Sequence, residues 1–252
     1  MTLALYGHRL SQPCRAAEIL LRELPLPYAW HEVDFANGET REPEYARRIN
    51  GFQTVPALRV TADEAAPARS ADGLHIGESH AIMRYLCRTA DSHEAAAWYP
   101  GDRDAARAAR IDQWLDWHHA NIRRYDLFHD LMNLHFTLPM LKREIQADAL
   151  KPRQDGLRPG LNTIESRLNG TFEAPTLCGD GPPTIADLAI ACELYQIVAV
   201  GYRLAAFPGI QRWLDALSRR PHFAAVSEQI VEQGRAIRDR NAPYLNLDDA
   251  FV

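Results

Sequence analysis

The sequence predicts two parts of different fold class, an α/β domain followed by an all-helical domain. Strand-like and helix-like patterns alternate through the first third of the chain, after which strand patterns stop and long helical periodicity takes over. The 252 residues are enough for two modest domains. We therefore place the α/β domain at residues 1–90, a linker at residues 91–100 and the helical domain at residues 101–252.

The α/β domain begins with a βαβ plan, in which a strand, a helix and a second strand follow one another. The predicted strands cover residues 3–6, 28–34, 56–60 and 74–76, and the predicted helices cover residues 12–24, 42–49 and 78–89. Residues 61–73 are rich in Ala, Asp, Glu and Pro, and we expect an exposed insertion there without an assigned role.

The helical domain is predicted from apolar stripes and from one capping signal. Thr184 is followed three residues later by Asp187, the pattern of a capping box that opens a helix toward Val198. Further helices are predicted over residues 102–128, 210–217 and 222–237. Residues 125–159 have no clear pattern, and the tail at residues 241–252 fits either an ordered lid or a frayed end.

The long helix predicted over residues 102–128 has two faces of different character. One face carries an apolar stripe suited to a core. The second face mixes two cations with two indoles at helical spacing. Its members are Arg107, Arg110, Trp114, Trp117 and Asn121. Such a face lines either a cleft against the first domain or an exposed surface or subunit contact, and the spacing alone fits both.

Composition and charge exclude several classes of partner. Lys and Arg total 28 and Asp and Glu total 33, so the formal net charge is −5, which argues against general affinity for nucleic acid or an anionic membrane surface. The sequence shows neither a basic-then-apolar leader nor an uninterrupted apolar stretch of membrane-spanning length. We therefore expect a cytoplasmic protein whose partners are small molecules or another subunit.

The cysteines and histidines form no recognisable disulfide or metal pattern. Four cysteines are scattered without paired spacing, so we expect reduced and mostly buried thiols. His118, His119, His129 and His135 lack carboxylate or cysteine partners at the spacing of metal sites. Filling of amphipathic helices is the better explanation for these histidines, and no metal is expected.

The strand-to-helix junction at Ser11 is the first candidate for chemistry. Its hydroxyl faces the positive end of the predicted helix, where unpaired N–H groups stabilise an anion such as a thiolate. Serine is also a preferred N-cap, and Pro13 suits the first turn of a helix. Position alone favours the cap over a catalytic role.

Two further junctions invite both a structural and a binding interpretation. Pro56 opens a predicted strand, and a cis bond there would hold the Val55 backbone open toward a ligand. At the next junction, Ser79 and the helix N-terminus can take a carboxylate while Glu78 accepts from an ammonium, which suits an amino-acid headgroup. Taken singly, Glu78 and Ser79 are better explained as ordinary first-turn residues.

Together, these short motifs resemble the glutathione transferase family, and within it the theta class. The resemblance spans nearly the whole chain and depends on the shared order and spacing of the motifs. They are Ser11-Gln12-Pro13-Cys14-Arg15-Ala16, Val55-Pro56-Ala57-Leu58, Glu78-Ser79 with Ala81-Ile82 and Tyr85-Leu86, Trp98-Tyr99-Pro100, Ala109-Arg110-Ile111-Asp112 and Thr184-Ile185-Ala186-Asp187-Leu188. The resemblance implies a thioredoxin-like α/β N-terminal domain, an all-α C-terminal domain, a homodimer, and glutathione as co-substrate in a cleft between the domains.

The resemblance also implies roles for individual residues. Ser11 matches the serine whose hydroxyl hydrogen-bonds the glutathione sulfur, and a donor there raises the thiolate fraction at neutral pH. The implied glutathione-binding residues are Arg41, Thr54, Val55, Glu78, Ser79 and Arg110. Arg107, Trp114 and Trp117 are expected to line the pocket for the electrophile, and Pro56 resembles the family's cis-proline.

Three functions follow as hypotheses. The first is a transferase in which Ser11 stabilises the glutathione thiolate for attack on a small electrophile or a peroxide. The second is a non-catalytic binding or assembly module built on the same fold. The third is glutathione-dependent thiol exchange at Cys14, which stands where a redox Cys-x-x-Cys pair has its second cysteine. Packing of Cys14 inside the helix interface is the better explanation for that residue.

Overall fold

The structure, a computed structural model, describes residues 2–61, 73–90, 92–123, 131–140, 145–169, 175–241, 247 and 250–251. The predicted insertion lies almost entirely outside these ranges, as does His129, and of the predicted C-terminal tail only residues 241, 247, 250 and 251 are described, with Leu247 and Phe251 buried. None of the helices within these ranges is both long enough and apolar enough to cross a membrane.

The N-terminal part of the chain forms a four-stranded mixed sheet in the order β2-β1-β3-β4. The strands are β1 (Thr2–Gly7), β2 (Tyr28–Glu32), β3 (Ala57–Thr61) and β4 (Leu74–Gly77). β1 and β2 are parallel, whereas β3 is antiparallel to both of its neighbours. Because parallel neighbours need a crossover connection, the helix between β1 and β2 completes the predicted βαβ unit.

Three helices and two short 3-10 turns accompany the sheet. They are α1 (Gln12–Glu23), the turns Phe35–Asn37 and Glu39–Arg41, α2 (Pro43–Arg48) and α3 (Ser79–Ala90). Pro13 lies in the first turn of α1, where its missing N–H costs no helical hydrogen bond. Each predicted helix of this part is present, with its ends within one residue of the prediction.

The segment predicted as a linker, residues 91–100, contains an additional helix, α4 (His93–Trp98). Ser92 caps this helix, because its hydroxyl accepts a hydrogen bond from the Ala95 amide at 3.0 Å. A helix of six residues is too short for an apolar repeat to be recognised, which explains why the sequence pattern misses it. The domain boundary at this segment stays a prediction.

The rest of the described chain is helical apart from one short hairpin. The helices are α5 (Ala105–His118), α6 (Leu131–Met140), α7 (Ala147–Leu168), α8 (Ile185–Ala199), α9 (Pro208–Ser218) and α10 (Pro221–Asn241). The hairpin pairs β5 (Pro175–Thr176) with β6 (Gly179–Asp180). An α/β first part and a helical second part confirm the predicted fold class.

The helix predicted over residues 102–128 begins three residues later and changes its geometry after His118, and its last five predicted residues lie outside the described ranges. α5 begins after Asp104, whose side chain caps it by accepting from the Arg107 amide at 2.9 Å. A π-helical turn, His119–Arg123, follows α5. Since a π-helical turn changes the angle between successive side chains, residues after His118 do not emerge where a regular helix would place them.

α7 occupies much of the segment for which the sequence shows no clear pattern. Pro152 and Pro159 lie inside this helix, and proline inside a sequence pattern normally indicates a helix end. Leu157, Leu161 and Ile164 are nevertheless buried at helical spacing along α7. Tertiary packing of this apolar side therefore outweighs the local signal of the two prolines.

α8 is the central helix of the second part and begins at the predicted capping box, which the structure confirms. The Thr184 amide donates to Asp187 Oδ2 at 2.8 Å. The Leu177 amide and the Trp213 indole donate to Asp187 Oδ1 at 2.9 and 3.0 Å. Asp187 therefore joins the β5–β6 hairpin and α9 to the start of α8.

α1 is anchored to α8 by Arg15, whose side chain is completely buried. Its guanidinium donates to the Cys192 carbonyl at 2.9 Å and to Gln196 Oε1 at 2.8 Å, both on α8. It also donates to the carbonyls of Arg9 and Leu10 at 2.9 and 3.2 Å. Because burial of a charged group is costly without such partners, these bonds fix the N-terminal end of α1 against the helical part.

Candidate active site

Three chain segments meet at one edge of the sheet. The strand register pairs Tyr6 of β1 with Ala57 of β3, and Ala57 with Gly77 of β4. Since β3 runs antiparallel to both neighbours, the segments after Tyr6, before Ala57 and after Gly77 leave the sheet at the same edge. This edge collects the predicted site segments that contain Ser11, Val55 and Glu78-Ser79.

Ser11 occupies the N-cap position of α1 but does not use its side chain as a cap. Its backbone is extended, with φ −83° and ψ 119°, and its carbonyl accepts from the Arg15 amide at 3.1 Å. The hydroxyl makes no capping hydrogen bond, and the residue is partly exposed. The hydroxyl therefore lies at the positive end of α1 in a position to serve an anion.

The Ser11 side chain is hydrogen-bonded to the thiol of Cys14, one turn along α1. Cys14 is buried against Gly7, where an added Cβ would come within 2.9 Å of the sulfur. Burial raises the pKa of Cys14 to about 11, although hydrogen bonds from Ser11 and the His8 backbone and the charge of Arg123 act in the opposite direction. At neutral pH, Cys14 is a protonated and packed thiol.

The loop before β3 is held by hydrogen bonds to Thr54. The Tyr45 hydroxyl and the Asn50 amide group both donate to the Thr54 carbonyl at 2.9 Å. The Val55–Pro56 peptide bond that follows is cis, as the resemblance implies. Thr54 is exposed and Val55 is partly exposed, so this backbone segment is both fixed and accessible at the sheet edge.

Glu78 and Ser79 form the junction between β4 and α3. Glu78 has a φ of 65°, which is uncommon for a residue with a Cβ, and its carbonyl accepts from the Ile82 amide at 2.9 Å. Such a conformation costs about 1–3 kcal/mol and concentrates at functional sites. The Glu78 side chain is exposed, whereas Ser79 is only 4% exposed. The junction thus combines an outward carboxylate with the N-terminus of α3, which suits both charges of an amino-acid headgroup.

Arg41 lies at the end of the 3-10 turn that follows β2, with its side chain exposed. Because His31 of β2 pairs with Tyr6 of β1 in parallel, β2 ends at the same sheet edge as β1. The structure therefore places Arg41 on a chain segment that leaves the edge where Ser11 lies.

The residues of the second face of α5 lie in different environments. Arg107 is partly buried and donates to the Ala97 carbonyl of α4 at 2.7 Å, whereas Arg110 is exposed. Trp114 and Trp117 pack edge-to-face with ring centroids 5.2 Å apart, and both lie partly buried against the core. The two indoles form an apolar wall, while Arg107 is engaged with α4.

α5 contacts α3 on a different side from this face. Arg84 of α3 donates to Asp112 Oδ1 at 2.7 Å, and the Tyr99 hydroxyl donates to Asp112 Oδ2 at 3.0 Å. Asp112 and Arg110 are separated by about 200° around a regular helix. Arg110 therefore points away from the contact between α5 and α3.

Arg123, at the end of the π-helical turn, is a cation that the sequence pattern does not single out. Four titratable groups feel the charge of Arg123. Burial has the largest effect on the pKa of each group, and the positive charge of Arg123 lowers each pKa. These groups are Cys14, His80, His119 and Glu193. They come from α1, α3, the π-helical turn and α8, so Arg123 lies where the two parts of the chain meet. A regular helix would have placed it differently, and no local motif indicates this position.

Two family models match the chain. The glutathione S-transferase N-terminal domain matches residues 11–89, which contain the three sheet-edge segments. The glutathione S-transferase C-terminal domain matches residues 136–216. The two matches fall on the α/β part and on the helical part of the structure.

Similarity to known proteins extends over almost the whole chain. Glutathione S-transferase T1 of Arabidopsis thaliana is 30% identical over 249 residues, which cover 95% of this chain and 94% of the relative. Glutathione S-transferase theta-1 of Mus musculus is 35% identical over 241 residues, covering 94% of this chain and 89% of the relative. The solved structure of human glutathione-S-transferase T1-1 in its apo form matches with a TM-score of 0.73 at 26% identity, covering 96% of this chain and 97% of that one.

Proposed function

The chain belongs to the glutathione transferase family and has theta-class relatives, and on this basis we propose that Ser11 activates the thiol of bound glutathione. The Ser11 hydroxyl donates a hydrogen bond to the sulfur and, with the N–H groups at the start of α1, stabilises the thiolate over the thiol. One observation carries this proposal: Ser11 occupies the N-cap of α1 without using its side chain as a cap.

The proposed reaction is attack of the thiolate on a small electrophile or a peroxide, which makes the protein a detoxification enzyme. The thiol proton passes to solvent, and the sulfur lone pair forms a bond to carbon while the leaving group, such as a halide, departs with its electron pair. With a hydroperoxide, the sulfur attacks the outer oxygen and an alcohol leaves. The resulting sulfenic acid is reduced by a second glutathione, which gives the disulfide and water.

The other glutathione contacts are proposed at the same sheet edge. The backbone at Thr54 and Val55 pairs with the cysteinyl part of the tripeptide as a short added strand. Glu78 accepts from the ammonium of the γ-glutamyl end, and Ser79 with the N-terminus of α3 binds its carboxylate. Arg41 binds the glycyl carboxylate from the segment after β2.

The electrophile is proposed to bind beside α5. Trp114 and Trp117 supply an apolar wall, and Arg107 lies at the end of this wall next to α4. Two arginines are candidates for a cation in the cleft. The resemblance implies Arg110, whereas the electrostatic effect on Cys14, next to Ser11, supports Arg123.

Turnover of a small alkyl halide by the Ser11→Ala variant tests the proposal. We expect kcat to fall at least about 100-fold, the size of effect seen when a donor to a developing anion is removed, with glutathione still bound. Ser92→Ala is the matched control, because Ser92 caps α4 away from the site and its loss leaves kcat unchanged. Equal turnover by Ser11→Ala and the wild type would contradict the role of Ser11. Glutathione binding without any turnover by the wild type would favour the non-catalytic module.

The same assay compares Arg110 of α5 with Arg123 at the end of the π-helical turn. We expect Arg123→Ala to lower kcat/KM about tenfold, since it removes positive charge near the thiolate. Arg110→Ala serves as the matched control and has the smaller effect. A larger loss of kcat/KM in Arg110→Ala than in Arg123→Ala would indicate that Arg110 is the cation in the cleft.

We also propose a cytoplasmic homodimer. Phe52 and Leu74 are large apolar side chains that are 69% and 47% exposed, and Phe52 packs beside Gly77 on the strand that carries Leu74. An exposed apolar surface of this kind fits a subunit contact. The four cysteines are free, which suits the reducing compartment that supplies glutathione. Light scattering is expected to give twice the mass of one chain, and a monomer would contradict the proposed assembly.

A further inference from the structure

Three histidines meet where α3 packs against the end of α5. His80 lies on α3, His118 ends α5, and His119 begins the π-helical turn. One ring nitrogen from each lies within 4.8 Å of the others, and His118 Nδ1 is 3.4 Å from His80 Nε2. Two nitrogen ligands of a tetrahedral zinc ion lie about 3.3 Å apart. His80 and His118 therefore already have nearly this spacing, and a small movement of the His119 ring would complete the set.

Glu193 of α8 determines which nitrogen of His118 faces this cluster. Glu193 Oε2 lies 3.5 Å from His118 Nε2, and Oε1 accepts from the Gln12 side chain at 2.6 Å. With Nε2 toward the carboxylate, the other ring nitrogen, Nδ1, is directed at His80. An outer carboxylate that orients a histidine in this way is a common feature of metal sites.

The three rings differ in their access to solvent. His80 and His118 are buried, whereas His119 is partly exposed. An ion can therefore approach the cluster from the His119 side.

Charged side chains of both signs lie around the three rings in the described part of the chain. Arg84 and Arg123 act on the cluster as cations, and Glu193 and Asp116 act on it as anions. The two carboxylates offset the two guanidinium groups, so these four groups together do not strongly repel a divalent cation.

We propose that His80, His118 and His119 bind one divalent transition-metal ion of the zinc type, with Glu193 as the outer carboxylate and no fourth ligand among the described residues. Neutral imidazoles favour zinc-like ions over Mg²⁺ and Ca²⁺, which prefer oxygen ligands. The bound ion joins α3 to the end of α5, and so ties the sheet part of the chain to the helical part. None of the three ligands is a residue proposed for thiolate chemistry, although Arg123 acts on both Cys14 and the cluster.

This site revises the expectation that the histidines bind no metal. That expectation considered only partners at short sequence spacing, whereas His80 is 38 residues away from His118. Glu193 comes from a third helix. The contributing residues become neighbours only through packing of α3, α5 and α8, so no sequence motif reports them.

Zinc titration of the untagged, metal-stripped full-length protein by calorimetry tests the proposal. We expect one equivalent of Zn²⁺ to bind the wild type, and His119→Ala to weaken the affinity at least about 100-fold. Glu193→Gln keeps the shape of the outer carboxylate without its charge, and weakens binding about 10–100-fold. His93→Ala removes an exposed histidine outside the cluster and is the matched control, with unchanged affinity.

Thermal unfolding with and without Zn²⁺ provides a second readout. We expect the ion to raise the Tm of the wild type and of His93→Ala, but not that of His119→Ala, because only the intact cluster binds the ion tightly. His119 is partly exposed, so its alanine variant is the one least affected in folding. The proposal is overturned if the wild type binds no zinc, or if His119→Ala binds zinc as tightly as the wild type.

Discussion

The middle of α1 and its N-terminal end differ in how their polar side chains are buried and bonded. Arg15 and Glu18 have buried side chains and make several hydrogen bonds or ion pairs to other parts of the protein. Ser11, at the start of the same helix, is partly exposed, and its hydroxyl does not cap the helix. The contrast separates polar residues that hold α1 in place from Ser11, whose side chain contacts the neighbouring Cys14 thiol and stays partly accessible to a ligand.

This contrast has a measurable consequence for each residue. Removal of a buried and well-bonded group costs stability, because its former partners remain buried without hydrogen bonds. Removal of a partly exposed group with little structural use costs little stability, and affects only the chemistry in which it takes part. Among substitutions in α1, we therefore expect the largest loss of stability at Arg15 and the smallest at Ser11. We expect a loss of turnover only at Ser11.

Arg15→Met has the largest expected effect on stability. The substitution removes the hydrogen bonds that Arg15 donates to the carbonyls of Cys192, Arg9 and Leu10, of which Leu10 keeps a second donor in Gln196. We expect the free energy of unfolding to fall by about 3 kcal/mol or more. Urea unfolding measures it, with the exposed Arg48→Met as control. A change below about 1 kcal/mol would show that Arg15 does not anchor α1.

Glu18→Gln has an intermediate expected effect. The Glu18 carboxylate accepts from Arg9, Arg22 and Tyr28 at 2.7 to 2.9 Å, but the two arginines are partly exposed and can regain water. We expect a loss of about 1–3 kcal/mol at pH 7 in urea unfolding. A loss of stability as large as that of Arg15→Met would contradict the argument that the partly exposed partners of Glu18 regain hydrogen bonds from water.

The same residue gives a pH dependence of known sign. Burial by itself raises the pKa of Glu18, but hydrogen bonds from Arg9 and Tyr28 and the charges of Arg9 and Arg22 bring it below its usual value. The stabilisation is therefore present above the unfolded-state pKa of about 4.3, and is lost as the pH falls through the lower folded-state pKa. The stability difference between wild type and Glu18→Gln should shrink toward acid pH. A difference that stays constant would contradict this.

Cys14→Ala has a smaller expected effect on stability, about 1 kcal/mol for the lost buried sulfur. With burial raising the pKa of Cys14 to about 11, the thiolate fraction at pH 7 is about one in ten thousand. We expect native protein to resist alkylation of Cys14 by iodoacetamide, and the variant to keep transferase turnover. Loss of turnover in Cys14→Ala with Ser11→Ala still active would instead support thiol exchange.

Local patterns in the sequence were sufficient to predict most elements of the first part of the fold and one helix start in the second part. The β1–α1 junction and the Thr184–Asp187 capping box involve residues within a few positions of one another, so spacing alone predicts them. α4 was missed because it is too short to show a period. α7 was missed because two prolines interrupt its pattern.

The parts that the sequence could not predict depend on packing between distant segments. The bonds from Arg15 to α8 and the position of Arg123 after a π-helical turn have no local signal. The cluster around His80 joins three helices in the same way. For Ser11, position alone favours a helix cap and the family resemblance implies a catalytic role, and the lack of a capping hydrogen bond from its side chain supports the catalytic role that we propose.

Ser11→Ala has the smallest expected effect on stability, within about 0.5 kcal/mol of the wild type. It should combine this with the largest effect on turnover. A stability loss above about 1 kcal/mol would show that the hydroxyl serves the helix after all, since that is the usual cost of a lost N-cap.

The most direct measurement is a pH titration of the thiolate absorbance of bound glutathione in the wild type and in Ser11→Ala, with Cys14→Ala as control for the protein's own thiol. In the wild type and in Cys14→Ala, we expect the thiol pKa of bound glutathione to lie at least about one unit below the usual thiol value of about 8.5. In Ser11→Ala it should return toward that value. An identical pKa in wild type and Ser11→Ala would contradict the claim that the Ser11 hydroxyl stabilises the thiolate of bound glutathione.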